Sequence, residues 1–113
     1  MATKIPADWK QAVSAILQKG VTDQLEVTFR AKTNFEDLFP DTFTCDMLDA
    51  FVDALANPNL QGNRVIGMKP EGETYEFIFA YRSLPVYGKV CLRKDGRLVV
   101  IISAHRPLKG NEV

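Results

Sequence analysis

One segment near the C-terminus limits the folds open to this chain more than any other. Residues 98–102 read Leu-Val-Val-Ile-Ile and are apolar at every position. A strand of this kind has both of its faces covered, so the segment predicts a strand inside a sheet rather than at its edge. The chain must therefore supply neighbouring strands on each side of it.

The segments before it predict those neighbours. Residues 74–81 alternate between apolar and polar side chains and place four aromatic rings on one face, namely Tyr75, Phe77, Phe79 and Tyr81. Residues 86–93 predict the next strand, and a turn that contains Pro and Gly separates 74–81 from a short strand beginning at residue 63. Residues 63–104 therefore predict an antiparallel meander.

The N-terminal half predicts helices that cover this sheet. Residues 6–19 carry an apolar stripe at helical spacing, formed by Trp9, Val13, Ile16 and Leu17. Residues 42–56 predict a second helix, residues 25–31 alternate as a half-buried strand, and residues 34–41 predict a connector. We therefore expect one α+β domain over residues 1–113, with two helices packed on one face of a four- to five-stranded antiparallel sheet.

The turns predict which side chains share a face of the sheet. A four-residue loop at 82–85 and a three-residue loop at 94–96 add Leu98, Val100 and Ile102 to the aromatic face. The second loop pairs Cys91 with Val99, Lys89 with Ile101, Tyr87 with Ser103 and Pro85 with His105. The only histidine then lies on the opposite, polar face, together with Glu76, Tyr87, Lys89, Arg93 and Ser103. A two-residue loop would instead turn His105 toward the aromatic rings.

The charges, the number of metal-ligating residues and the lack of targeting segments limit which functions this chain can have. The net charge is zero, but residues 1–62 hold five Lys and Arg against nine Asp and Glu, and residues 63–113 hold nine against five. Either the acidic residues simply solvate the outer faces of the helices, or the C-terminal half presents a basic face to an anionic partner. Two cysteines and one histidine are too few for a structural zinc site, and we expect no metal or other cofactor. The chain shows no secretory signal and no membrane-spanning run, so we expect a cytoplasmic protein.

The polar face holds the groups that metal-free RNA cleavage requires. The imidazole of His105 can carry a proton in either direction near neutral pH. A second proton carrier is needed, and Glu76 or Tyr87 could act as one. Cations can bind the phosphate and stabilise charge that develops on it, and the candidates are Arg82, Lys89, Arg93, Arg106 and Lys109.

The segment YGKVCLRKDGRLVVIISAH, residues 87–105, resembles the C-terminal hairpin of a group of small toxin ribonucleases. The group comprises the barnase, EndoU, colicin and RelE-like folds, in which helices precede an antiparallel sheet. The resemblance implies a metal-independent endoribonuclease of toxin type, with an RNA substrate and an antitoxin-like protein partner.

A second hypothesis comes from a different functional class. The mixed-charge face of the sheet and the acidic second helix could both be protein interfaces. The chain would then be a non-catalytic interaction module, such as an immunity protein or a phage or plasmid accessory protein. Toxicity on expression, relieved by replacement of His105, separates the two hypotheses.

Overall fold

A computed structural model describes residues 2–67, 71–94 and 98–108, and these residues form three helices and one six-stranded sheet. The helices are α1 (Ala7–Leu17), α2 (Phe29–Leu38) and α3 (Thr44–Ala56). The strands are β1 (Thr3–Lys4), β2 (Leu25–Val27), β3 (Gln61–Val65), β4 (Gly72–Tyr81), β5 (Leu84–Arg93) and β6 (Val99–His105).

The strands lie in the order β1-β3-β4-β5-β6-β2, and every pair is antiparallel except β2 with β6, which is parallel. The α+β class is confirmed. The expectation of two helices on a four- to five-stranded antiparallel sheet is wrong, because the sheet is mixed and has six strands among the described residues. Strand β6 does lie inside the sheet, and its residues Val99, Val100 and Ile101 are all buried.

All three helices pack on one face of the sheet. The core cluster joins buried residues of α1, α2 and α3 to the aromatic row of β4 and to one side of β5 and β6. Edge-to-face ring contacts connect the layers, with the centroids of Trp9 and Tyr75 4.8 Å apart and those of Phe51 and Phe79 5.1 Å apart. We call this the helix face and the opposite one the polar face.

Helix α2 replaces the end of the predicted strand 25–31 and most of the predicted connector. The strand ends at Val27, and Thr28 then caps the helix, accepting a hydrogen bond from the Ala31 backbone N–H at 3.1 Å. Ala31 and Phe35 follow at a helical spacing and are buried in the core. The alternation of residues 25–31 predicted a strand, but the cap at Thr28 and the helical spacing of Ala31 and Phe35 favour a helix from residue 29 onward. Strand β1, only two residues long, was also not predicted.

The β4–β5 turn is tighter than expected. Tyr81 pairs with Leu84, so the loop contains only Arg82 and Ser83, which both have positive φ angles of 50° and 67°. These angles are typical of a type I′ hairpin turn. The predicted four-residue loop is wrong, but two and four are both even, and the faces of β4 and β5 are therefore as expected. Phe77 lies opposite Gly88, where the predicted loop at 82–85 would have placed Phe79.

The pairing of β5 with β6 contains a β-bulge. Cys91 pairs with Val100 and Lys89 with Ser103, which leaves Ile102 as an extra residue on β6. The predicted partners are therefore wrong, and so is the predicted set of core residues on this strand. Val99, Ile101 and Ala104 belong to the core cluster in place of Leu98, Val100 and Ile102. Of the predicted loop 94–96, residues 95 and 96 lie outside the described residues.

Candidate active site on the polar face of the sheet

The polar face brings together five side chains from three adjacent strands. Two cross-strand rows contain them: Ile78, Tyr87 and His105 form one, and Asn63, Glu76, Lys89 and Ser103 form the next. Neighbouring strands are about 4.8 Å apart, so side chains in one row lie within reach of each other. We use the term polar cluster for Glu76, Tyr87, Lys89, Ser103 and His105.

The bulge at Ile102 sets the position of His105. Upstream of the bulge, Ile101 pairs with Val90, and both belong to the core cluster. Downstream of it, Ser103 pairs with Lys89 and His105 with Tyr87. Without the extra residue, strict alternation from Ile101 would place His105 on the helix face. One inserted residue therefore moves the only imidazole into the polar cluster.

Tyr87 connects the carboxylate to the imidazole. Its hydroxyl donates a 2.6 Å hydrogen bond to Oε1 of Glu76, and the side chain is buried. Burial, and then the bond to the neighbouring carboxylate, raise the pKa of Tyr87 above its usual value. Tyr87 therefore keeps its proton, and Glu76 is the acceptor of the pair. Of the two candidates for a second proton carrier, the geometry favours Glu76.

The ring of His105 is held in a defined orientation. It stacks on the ring of Tyr87, with the centroids 4.9 Å apart and the planes 27° from parallel. Its Nδ1 lies 2.7 Å from the backbone carbonyl oxygen of Arg106. A carbonyl oxygen only accepts hydrogen bonds, so Nδ1 carries a proton and donates it. In this tautomer Nε2 is the ring nitrogen that carries the lone pair.

The cationic members of the predicted site differ in placement. Lys89 lies in the cluster, with its Nζ 6.0 Å from the centroid of the Tyr87 ring. Among residues 2–67, 71–94 and 98–108, the only ion pair within 4.0 Å joins Arg82 to Asp41. The ammonium of Lys89 is therefore not neutralised by a carboxylate of the described chain. Arg106 follows His105 directly and is exposed.

The structure does not bring Arg82 into the cluster. Its Nη1 donates to both carboxylate oxygens of Asp41, at 2.8 and 3.0 Å, and the guanidinium lies over the ring of Tyr81. The hydrogen bond that Arg82 donates to Asp41 is the main reason that the pKa of Arg82 is raised. Arg82 thus ties the β4–β5 turn to the α2–α3 connection.

Two further predicted residues lie elsewhere. Arg93 is six residues from Tyr87 along β5, which is about 20 Å at the usual rise per residue. It lines a cleft of about 530 Å³ at the far end of the strand, together with Arg64, Lys94 and Glu71. Lys109 lies outside the described residues.

Asn63 was missed from sequence. It pairs with Glu76 and adds an amide to the end of the second polar row. The sequence offers little signal for it, because the connection between Val65 and Thr74, the last pair of β3 with β4, is too long to fix the register as a two-residue turn would. Only the observed register places its amide next to the carboxylate.

The part of the chain that the structure describes contains no group of three or more His, Cys, Asp or Glu side chains placed to hold a metal ion. None of the described helices is long and apolar enough to cross a membrane. No family model, curated protein or solved structure matches this chain.

Proposed function

We propose that this protein is a metal-independent endoribonuclease whose proton carriers are His105 and Glu76. The observation that carries the proposal is the stacking of His105 on Tyr87, which itself bonds Glu76 at 2.6 Å. An imidazole nitrogen and a carboxylate are thereby held on one face of the sheet, and the ammonium of Lys89 in the same cluster forms no ion pair with any carboxylate of the described residues. General acid–base catalysis needs two such groups in a fixed relation.

The groups act on the ribose and phosphate in one displacement. Glu76 takes the proton from the 2′-hydroxyl, and the 2′-oxygen attacks the adjacent phosphorus. The bond from phosphorus to the 5′-oxygen breaks, and protonated His105 gives its Nε2 proton to that oxygen. The products are a 2′,3′-cyclic phosphate and a free 5′-hydroxyl. Water then returns the proton from Glu76 to His105, so the site is restored.

Lys89 and Tyr87 of the polar cluster, and the neighbouring Arg106, support this step. Lys89 and Arg106 stabilise the negative charge that increases on the phosphate oxygens in the transition state. Tyr87 is a positioning residue, because it fixes the carboxylate through its hydroxyl and the imidazole through its ring. The resemblance of residues 87–105 to toxin ribonucleases agrees with this assignment and adds an antitoxin-like protein as the expected partner.

Cleavage of a fluorogenic single-stranded RNA in the presence of EDTA tests the proposal. We expect wild type to release a 2′,3′-cyclic phosphate, identified by mass spectrometry. His105→Ala and Glu76→Gln should lower kcat by about 10²- to 10⁴-fold each. Glu73→Gln is the matched control, since Glu73 lies on the same strand but is exposed and outside the polar cluster. Intact RNA with wild type, or equal cleavage by His105→Ala, contradicts the proposal.

Expression in a bacterial host gives a second readout. The wild-type protein should arrest growth, and His105→Ala should relieve the arrest. Equal growth with both proteins, together with intact cellular RNA, would favour the non-catalytic interaction module instead.

A further inference from the structure

Phe29, the first residue of α2, leaves its aromatic ring in water. Its side chain is 84% exposed, although it lies between a strand and a helix that both contribute to the core. A large apolar side chain in this position adds almost nothing to the packing of the fold. Its exposure raises the question of what binds there.

The backbone places Phe29 at the β2 edge of the sheet, next to the strand that carries Ser103 and His105. The preceding residue, Thr28, donates from its N–H to the Ile101 carbonyl at 3.1 Å and from Oγ1 to the Ile102 carbonyl at 3.0 Å. Ile102 is the bulged residue, and Ser103 and His105 follow it on β6. Phe29 therefore lies at the edge of the sheet where β6 turns its polar residues toward the cluster.

The charges around Phe29 suit an anionic ligand. Arg30 and Lys32 follow it on α2, and both are exposed. Phe43 provides a comparison within the same chain, because its side chain is exposed as well, at 74%. Phe43, however, lies between Asp41 and Asp46, whose carboxylates would repel a phosphate. Asp41 is ion-paired with Arg82, but Asp46 adds a second carboxylate, so the charges nearest Phe43 are net negative, whereas the two that follow Phe29 are positive.

We propose that Phe29 stacks on an unpaired base of the substrate while Arg30 binds a neighbouring phosphate, so that the substrate is single-stranded RNA. This inference rests on the proposed nuclease function and specifies its substrate class. Stacking on an aromatic side chain requires a base that is free of its duplex neighbours, and it tolerates any base identity. The inference therefore predicts discrimination against duplex RNA without strong sequence preference.

Fluorescence anisotropy with a labelled 2′-O-methyl oligonucleotide tests the inference. This probe lacks the attacking hydroxyl, so it measures binding whether or not the protein cleaves RNA. We expect Phe29→Ala to weaken binding about tenfold, Phe29→Trp to preserve it, and Phe43→Ala to leave it unchanged. A duplex of the same sequence should bind more weakly to wild type and be indifferent to Phe29→Ala. Because the ring is exposed, both alanine variants should unfold at the wild-type temperature.

Each result decides between the two proposals. Absence of binding by wild type, equal effects of Phe29→Ala and Phe43→Ala, or equal affinity for duplex and single strand would overturn the role of Phe29. Cleavage by wild type together with any of these results would leave the nuclease standing and remove only the base contact. Loss of binding in Phe29→Ala, with no cleavage by wild type, would instead retain the base contact and reject the nuclease.

Discussion

Replacement of Gly88 by alanine tests how tightly the core packs directly behind the polar cluster. Gly88 lies between Tyr87 and Lys89 on β5, and the ring of Phe51 from α3 rests against it. A Cβ atom at position 88 would lie 2.7 Å from Cε1 of Phe51 and 3.2 Å from Cε2 of Phe77. Ordinary contacts between carbon atoms are about 3.5–4.0 Å, so an alanine here overlaps its neighbours.

The ring of Phe51 cannot move away from position 88 without disturbing the neighbouring aromatic rings of the core. Phe51 is fully buried, and its centroid lies 6.0 Å from that of Phe77 and 5.1 Å from that of Phe79. Overpacking of this kind costs about 1–3 kcal/mol, and the lower unfolded-state entropy of alanine returns less than about 1 kcal/mol. We expect Gly88→Ala to lower the free energy of unfolding by about 2 kcal/mol, which corresponds to about 8 °C in Tm for a chain of this length.

Urea denaturation of four proteins measures this effect. Wild type, Gly88→Ala, Phe51→Leu and the double variant form a cycle that isolates the interaction between the two positions. The smaller leucine should leave room for the new methyl group, so Gly88→Ala should cost at least about 1 kcal/mol less in the Phe51→Leu background. The reasoning is refuted if Gly88→Ala is as stable as wild type, or if its cost is the same in both backgrounds.

Two further predictions concern the β4–β5 turn and the polar cluster. Ser83→Gly should raise Tm by about 2–4 °C, because Ser83 has a φ of 67° that glycine adopts without strain, and an unchanged or lower Tm would contradict the strain argument. Tyr87→Phe keeps the ring beside His105 but removes the bond to Glu76, so it should lower the free energy of unfolding at pH 7 by about 1–2 kcal/mol. Because folding raises the pKa of Tyr87, its contribution is complete below about pH 10 and is lost as the pH rises further, and the advantage of wild type over Tyr87→Phe in urea melts should shrink above pH 10. An advantage that stays constant from pH 7 to 11 would show that the hydroxyl is not responsible.

Residues 25–31 show where local patterns conflict. Position 31 fits both an alternating strand that starts at Leu25 and a helical stripe that continues to Phe35. Thr28 decides between them, because its side chain caps the helix and also bonds to β6. The 84% exposure of Phe29 marks the point at which the alternating pattern no longer describes the chain. The cap and the spacing were both visible in the sequence, so α2 could have been predicted.

The register of β6 could not have been predicted. The run from Leu98 to Ile102 is apolar at every position, so no residue in it signals which side faces the helices. Nothing in the sequence identifies Ile102 as the bulged residue. The prediction that His105 shares a face with Tyr87 assumed that Cys91 pairs with Val99. In the structure Cys91 pairs with Val100, a shift of one residue, and the extra residue at Ile102 compensates for this shift before His105.

The sheet edges were unpredictable for another reason. Strand β2 pairs with residues more than seventy positions away, Leu25 with Val99 and Val27 with Ile101. Such a pairing depends on the whole fold and not on any local turn. The resulting parallel edge matters for the site, because it brings Thr28 and Phe29 next to the bulge.

The polar cluster gains its order from the opposite side of the same strands. Gly88 and Ala104 pair on the helix face, where neither carries a side chain larger than a methyl group, and Gly88 lets the ring of Phe51 from α3 rest against β5. Tyr87 and His105 lie on the polar face in the very next pair. Any shift of Phe51 against Gly88 therefore moves the backbone that carries the stacked rings. The acid–base catalysis that we propose depends on distances of a few tenths of an ångström, so the packing of Phe51 against Gly88 should also affect the alignment of His105 with Glu76.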